Sequence, residues 1–226
     1  MKKIIYNKFD KHAITSLPQV KFPGKIVVIL SAGETEKAVD YLLSSDILGI
    51  DTETRPAFRK GESHKVALLQ VSNRNVCFLF RLNHTDMTPA IIRLLENTKV
   101  PMVGLSLHDD MLSLHKRANF VPGNFIDLQN MVGQLNIEDL SLQKLYANIF
   151  NQKISKRQRL TNWEADVLDE KQKVYAAIDA WACINLYEEM CRLRETGDYE
   201  FVKVEDPEPV LINKDNELQE SFSEKR

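Results

Sequence analysis

Ile47-Leu48-Gly49-Ile50-Asp51-Thr52-Glu53 is an apolar, β-forming run that closes on two carboxylates. Side chains of a strand alternate in direction, so Asp51 and Glu53 project from one face and Thr52 from the other. Two like charges held together at the end of a buried strand repel unless one is protonated or a cation lies between them. Their hard oxygens favour Mg²⁺ or Mn²⁺. Two solvated acids at a strand end would give the same local pattern.

Outward from this strand, Val66 to Val71 and Val76 to Arg81 are two more β-rich runs, and Ser72-Asn73-Arg74-Asn75 between them is a hairpin turn. Upstream, Ile26 to Leu30 reads as a strand. It is followed by a helix with a Ser31-x-x-Glu34 capping box and an apolar face of Ala38, Val39, Leu42 and Leu43. Thr88-Pro89 opens a helix to about Asn97, and Val100 to Leu105 and Phe125-Ile126-Asp127 are further strands. The spacing predicts helices over His108 to Ala118, Leu128 to Leu135, Ser141 to Phe150 and Asp169 to Glu195, with Gly197 ending the last. An antiparallel start followed by strand–helix alternation predicts an α/β fold, a mixed sheet of five or six strands flanked by helices on both faces.

The chain has 226 residues, 43% of them hydrophobic and 27% charged, which suits one globular domain. Its apolar runs, Ile26 to Leu30 among them, fall far short of a membrane helix, and Met1-Lys2-Lys3 leads into no signal-type segment. This predicts an intracellular, cytoplasmic protein without a membrane partner. Cys77, Cys183 and Cys191 form no CxxC pair and read as core thiols. No P-loop, GxGxxG, HExxH or GxSxG motif occurs, so nucleotide-cofactor and serine-hydrolase chemistry lose their main support.

Charge is uneven along the chain. The net charge is −2, yet residues 1–25 carry six lysines against Asp10 alone. The segment Asn151 to Asn162 holds Lys153, Lys156, Arg157 and Arg159 without an acid, and from Lys203 to Arg226 seven acids outnumber four bases. Basic clusters of this kind attract phosphate backbones or remain solvated surface. The expected organisation is a basic amino-terminal arm (1–24), a domain over 25–200, and an acidic, flexible tail over 201–226.

Two further segments carry acids. Val103-Gly104-Leu105-Ser106-Leu107-His108-Asp109-Asp110 runs from strand to helix and delivers two adjacent carboxylates, which also suit a helix dipole. In Tyr175-Ala176-Ala177-Ile178-Asp179 a phenol sits one helical turn from a carboxylate, with alanines between them that allow close approach.

Together, a strand-borne D-x-E, a later Asp after an apolar strand and a Y-x-x-x-D on a late helix resemble the tyrosine-bearing branch of the DEDD exonuclease superfamily. Ile50-Asp51-Thr52-Glu53-Thr54-Arg55-Pro56 with Lys65-Val66-Ala67-Leu68-Leu69-Gln70 is similar to the first motif of the Werner-type and ribonuclease D-type enzymes. Leu160-Thr161-Asn162-Trp163-Glu164, then Gln172 and Tyr175 to Ala180, is similar to their third. The resemblance spans about Lys25 to Tyr187, and Pro56 and the Lys65–Gln70 run place it nearer the Werner-type branch.

The resemblance implies a ribonuclease H-like three-layer fold and 3′–5′ hydrolysis of nucleic acid, DNA favoured, by two divalent ions, Mg²⁺ or Mn²⁺. It implies that Asp51 bridges both ions, that Glu53 and Asp179 serve the ion that activates water, and that Asp110, with Asp109 as the alternative, supports the second. Tyr175 would orient the attacking water and the scissile phosphate. Lys153, Lys156, Arg157 and Arg159, with Lys65 and His108, are candidate strand contacts; Phe58 or Leu107 either meets terminal bases or packs into the protein. Trp163 reads as an anchor for the loop before the last helix. Ribonuclease D-like processing of RNA, or a nucleic-acid-binding scaffold without turnover, remains an alternative. With no helicase segment in the sequence, a helicase or another protein is a possible targeting partner.

Overall fold

A computed structural model describes residues 2–205, and residues 206–226 of the expected acidic tail lie outside the described residues. The large sheet comprises β2 (Lys25–Ile29), β3 (Leu48–Thr54), β4 (Val66–Ser72), β5 (Val76–Arg81), β6 (Met102–Gly104) and β7 (Phe125–Asp127). Its order is β2-β5-β4-β3-β6-β7. The central meander β3-β4-β5 is antiparallel, while β2 joins β5, β6 joins β3 and β7 joins β6 in parallel. The predicted hairpin turn forms because the Asn73 carboxamide oxygen accepts from the backbone N–H groups of Asn75 and Val76, each at 2.9 Å.

Helices cover both faces. One layer holds α1 (Ala32–Leu42), α3 (Pro89–Leu95) and α4 (Leu107–His115), with the four-residue α2 (Leu82–Thr85) beside β4 and β5. The other holds α5 (Gln129–Val132), α6 (Leu142–Phe150) and α7 (Glu170–Thr196). The fold is therefore the mixed, three-layer α/β arrangement that the pattern predicted.

Local signals explain most boundaries. Ser31 and Glu34 form the expected capping box on α1, Thr88 caps α3 ahead of Pro89, and Gly197 ends α7 at φ 62°. Asp169 and Gln172 form a second box that starts α7. The predicted helix over Leu128 to Leu135 is instead α5 followed by a 3₁₀ turn, Gly133–Leu135.

The amino-terminal segment departs from the expected arm. Lys3–Tyr6 forms β1, which pairs in parallel with β8 (Tyr199–Val202) across the expected boundary at residue 200. The cause is apolar: Ile5, Phe9, Ile14 and Val20 are buried, and an arm in solution would leave them in water. Among the described residues no helix is long and apolar enough to cross a membrane. Cys77 and Cys183 are buried and Cys191 is half-buried, all three as free thiols.

Candidate active site

Alternation along β3 sets the geometry. Leu48 and Ile50 enter the core under α1 and α3, and Thr52 follows them to that side. Gly49, Asp51 and Glu53 therefore face α7. The absence of a side chain at Gly49 is what admits that helix, because a Cβ there would lie 2.0 Å from the carbonyl oxygen of Ala180. With α7 seated so closely, Asp179 arrives over the strand, and ligand oxygens of Asp51, Glu53 and Asp179 lie within 4.8 Å of one another.

Asp110 comes from the opposite sheet face, on the first turns of α4. Its Oδ1 accepts a hydrogen bond from the hydroxyl of Thr52, the residue between the two strand acids. Among neighbouring charges Asp110 acts most strongly on Asp51. Asp109 is exposed, which separates the two adjacent acids that the sequence left open.

A residue missed in the sequence reading places Asp110. Asp127, at the end of β7, accepts from the backbone N–H groups of Ser106 (3.0 Å), Leu107 (2.8 Å) and Gln129 (2.9 Å). Helix α4 has no side-chain cap of its own, and Ser106 before it is left-handed at φ 62°. The Asp127 carboxylate replaces the missing cap and fixes the helix start.

Electrostatically the cluster is poised for cations. Burial, then the Asp110, Asp179 and Glu53 charges, holds Asp51 well above the usual carboxylate range. Burial and the Asp179 and Asp110 charges raise Glu53 to about 9, against a lowering by Arg159. Burial likewise lifts Asp179, which Tyr175 and Lys156 hold down, and lifts Asp110, which Thr52 holds down. Asp179 Oδ1 is buried without a hydrogen-bond partner. Several hard oxygens, one of them orphaned, with their charges crowded in a desolvated site, fit a divalent cation.

Tyr175 sits one turn before Asp179, and burial together with the Asp179 and Glu53 charges pushes its phenol above the ordinary value. It stays protonated and serves as a donor. The fully buried Trp163 ring lies 6.0 Å from the Tyr175 ring, centroid to centroid. The Gln172 amide donates to Thr161 Oγ1 at 3.0 Å and ties the loop to α7. Buried Arg81 donates to the carbonyls of Ala165 and Asp166, securing the same loop from below.

The candidate strand contacts divide. Phe58, Lys65, His108, Lys156, Arg157 and Arg159 are exposed. Leu107 is 4% exposed and packs in the core against Gly104, because the first turn of α4 points it inward, and so it is unavailable to a base. Lys153 is half-buried, and its ammonium donates to the Thr15 carbonyl.

Comparison with known proteins bears on this arrangement. The bifunctional 3′-5′ exonuclease/ATP-dependent helicase WRN of Mus musculus is 27% identical over 210 residues, covering 88% of this chain and 15% of the mouse protein. Ribonuclease D of Haemophilus influenzae is 28% identical over 221 residues, covering 96% of this chain and 54% of that enzyme. The chain thus spans little more than half of the one relative and a small fraction of the other. In fold it is similar to the Aedes aegypti Nibbler EXO domain, with TM-score 0.68 at 17% identity over 77% of this chain and 91% of that one. Residues 26–194, from β2 almost to the end of α7, match the 3′-5′ exonuclease domain family, and the chain belongs to that family.

Proposed function

We propose that the protein is a metal-dependent 3′–5′ exonuclease that removes nucleoside 5′-monophosphates from a nucleic acid 3′ end, with DNA the favoured substrate. The observation that carries this reading is the meeting of Asp51, Glu53 and Asp179 oxygens within 4.8 Å, one helical turn from Tyr175. In this reading Asp51, Glu53 and Asp179 would hold divalent cations, Mg²⁺ or Mn²⁺, and Asp110 would support a second ion. Two such ions supply Lewis-acid stabilisation of the attacking and leaving oxygens of an in-line displacement. The chain's own part is positional. Tyr175 donates a hydrogen bond from its phenol to orient the attacking water and the scissile phosphate, while Trp163, Ala176 and Ala177 in the apolar cluster beside it hold its ring in place.

The preference for DNA rests on the Werner-type features Pro56 and Lys65–Gln70. Near-complete coverage of this chain by ribonuclease D of Haemophilus influenzae supports RNA as the second reading. The test is hydrolysis of matched 5′-labelled DNA and RNA oligonucleotides with Mg²⁺ or Mn²⁺, beside Asp51→Ala. A stepwise ladder from the 3′ end that vanishes in the variant is expected, strongest on DNA. Absence of a metal-dependent ladder on both substrates overturns the reading, and a ladder on RNA alone reassigns the substrate.

A further inference from the structure

Among the described residues the buried side-chain polar atoms without a hydrogen-bond partner are Asp179 Oδ1, Trp163 Nε1 and both ends of the Gln70 carboxamide, Oε1 and Nε2. Asp179 belongs to the acidic cluster; Gln70 does not. Its side chain is fully buried, at 0% exposure, in the middle of β4. A polar group taken out of water without a partner destabilises the fold, and this one lacks a partner at its donor and at its acceptor.

The strand sets its direction. Leu69 and Val71 enter the core under α1 and α3, while Leu68 packs in the cluster that contains Ala176 and Ala177 of α7. Gln70 therefore faces α7, on the same side of the sheet as Asp51 and Glu53. The antiparallel register puts Asp51 of β3 directly opposite Gln70 on one side and Leu79 of β5 on the other. Leu79, Ala176 and Ala177 offer no side-chain hydrogen-bonding group. Asp51 does, and side chains directly opposite on one face have Cβ atoms about 5 Å apart, within reach of a glutamine amide.

The acids differ in what supports them. Asp110 accepts from the Thr52 hydroxyl. Among the described residues no side chain donates to Asp51, although the Asp110, Asp179 and Glu53 charges all bear on it. A carboxylate that holds a metal through one oxygen is fixed by a donor on the other. We infer that Gln70 is the positioning residue for Asp51, its Nε2 donating to one Asp51 oxygen once a cation draws the other into ligation. The inference rests on the metal-centre reading and adds to it a residue that touches neither ion nor substrate. The unpaired amide destabilises the metal-free protein, and ligation supplies its partner.

The test sets metal affinity against stability. Gln70→Met keeps the shape and removes both polar ends of the side chain. In EDTA its melting midpoint should rise by about 3 °C or more, because no amide is left unpaired. Its Mn²⁺ affinity, read from the paramagnetic resonance signal of the free ion, should fall about tenfold or more. Leu79→Met, in the same layer beside Gln70, is the packing control and should keep wild-type Mn²⁺ affinity. Gln70→Met with wild-type Mn²⁺ affinity overturns the inference, as does a Leu79→Met that weakens binding equally. Weaker binding together with a lower midpoint assigns the effect to damaged packing and overturns it too. A wild-type chain that binds no Mn²⁺ sinks the metal centre and the role of Gln70 with it, whereas wild-type binding beside an indifferent Gln70→Met sinks the positioning role alone.

Discussion

The α-carbon of Gly49 faces the carbonyl oxygen of Ala180 so closely that a methyl group at Gly49 would sit 2.0 Å from it. The atom in the way is backbone, inside a long helix, and it cannot swing aside as a side chain can. Gly49→Ala is therefore expected to cost about 3 kcal/mol or more, or to push α7 outward and separate Asp179 from Asp51. Urea denaturation measures the first, and Mn²⁺ titration calorimetry the second. A variant with wild-type stability and wild-type metal affinity would show that the contact does not set the spacing.

Removing a single ligand should abolish turnover without unfolding the protein. Asp179→Asn should lower kcat by ~10²–10³-fold or more. Tyr175→Phe removes a donor that orients and does not ligate, so kcat should fall about 10–100-fold with metal affinity unchanged. Calorimetry on both variants separates the roles, and equal loss of metal affinity in the two would merge them.

Acid crowding makes metal-free stability depend on pH. Asp110 at about 6 and Glu53 at about 9 hold protons more tightly in the folded protein than in the unfolded chain. Stability from such groups is complete below the unfolded carboxyl range near 4 and is lost as pH rises through the folded values. The metal-free protein should accordingly lose stability steadily from about pH 5 to 9 in EDTA. Glu53→Gln should raise its melting midpoint at pH 8 by about 5 °C. Mn²⁺ should reverse the trend by binding the deprotonated cluster. A wild-type midpoint that climbs between pH 6 and 9 in EDTA contradicts this account.

Asp110 depends on two neighbours for its place. Thr52→Val keeps the shape and deletes the hydroxyl donor, so Asp110 should titrate higher and bind an ion less readily. Asp127→Ala frees the start of α4, leaves three backbone N–H groups without their acceptor and should act in the same direction. About 10–100-fold weaker Mn²⁺ affinity is expected for each. Electron paramagnetic resonance of Mn²⁺ provides the readout, and unchanged affinity in both variants removes them from the site.

Most of the sheet was legible because its signals are local. Alternation in β3, the Asn73 turn and the Ser31 and Thr88 caps each act within a few residues. The convergence of Asp51, Glu53 and Asp179 came from motif order and was then found in the geometry. Gly49 is legible in the same way, since an interior strand glycine signals close backbone approach. Asp127 left only the faint trace of an acid at a strand end. Leu107 was open to either reading because its direction depends on the left-handed turn at Ser106, which sequence does not announce. The pairing of β1 with β8 was invisible, as neither strand is long or apolar enough to declare itself, and each is defined by a partner at the far end of the chain.

That last pairing has a consequence for how the protein is made. Lys3 finds its neighbour only when Tyr199 has left the ribosome, so β1 waits for β8. Contacts of such long sequence separation form late, after the meander and its helices have condensed. Every carboxylate of the cup, up to Asp179, leaves the ribosome before β8 does, so the cup is expected to close in a nascent chain while β1 still waits for its partner.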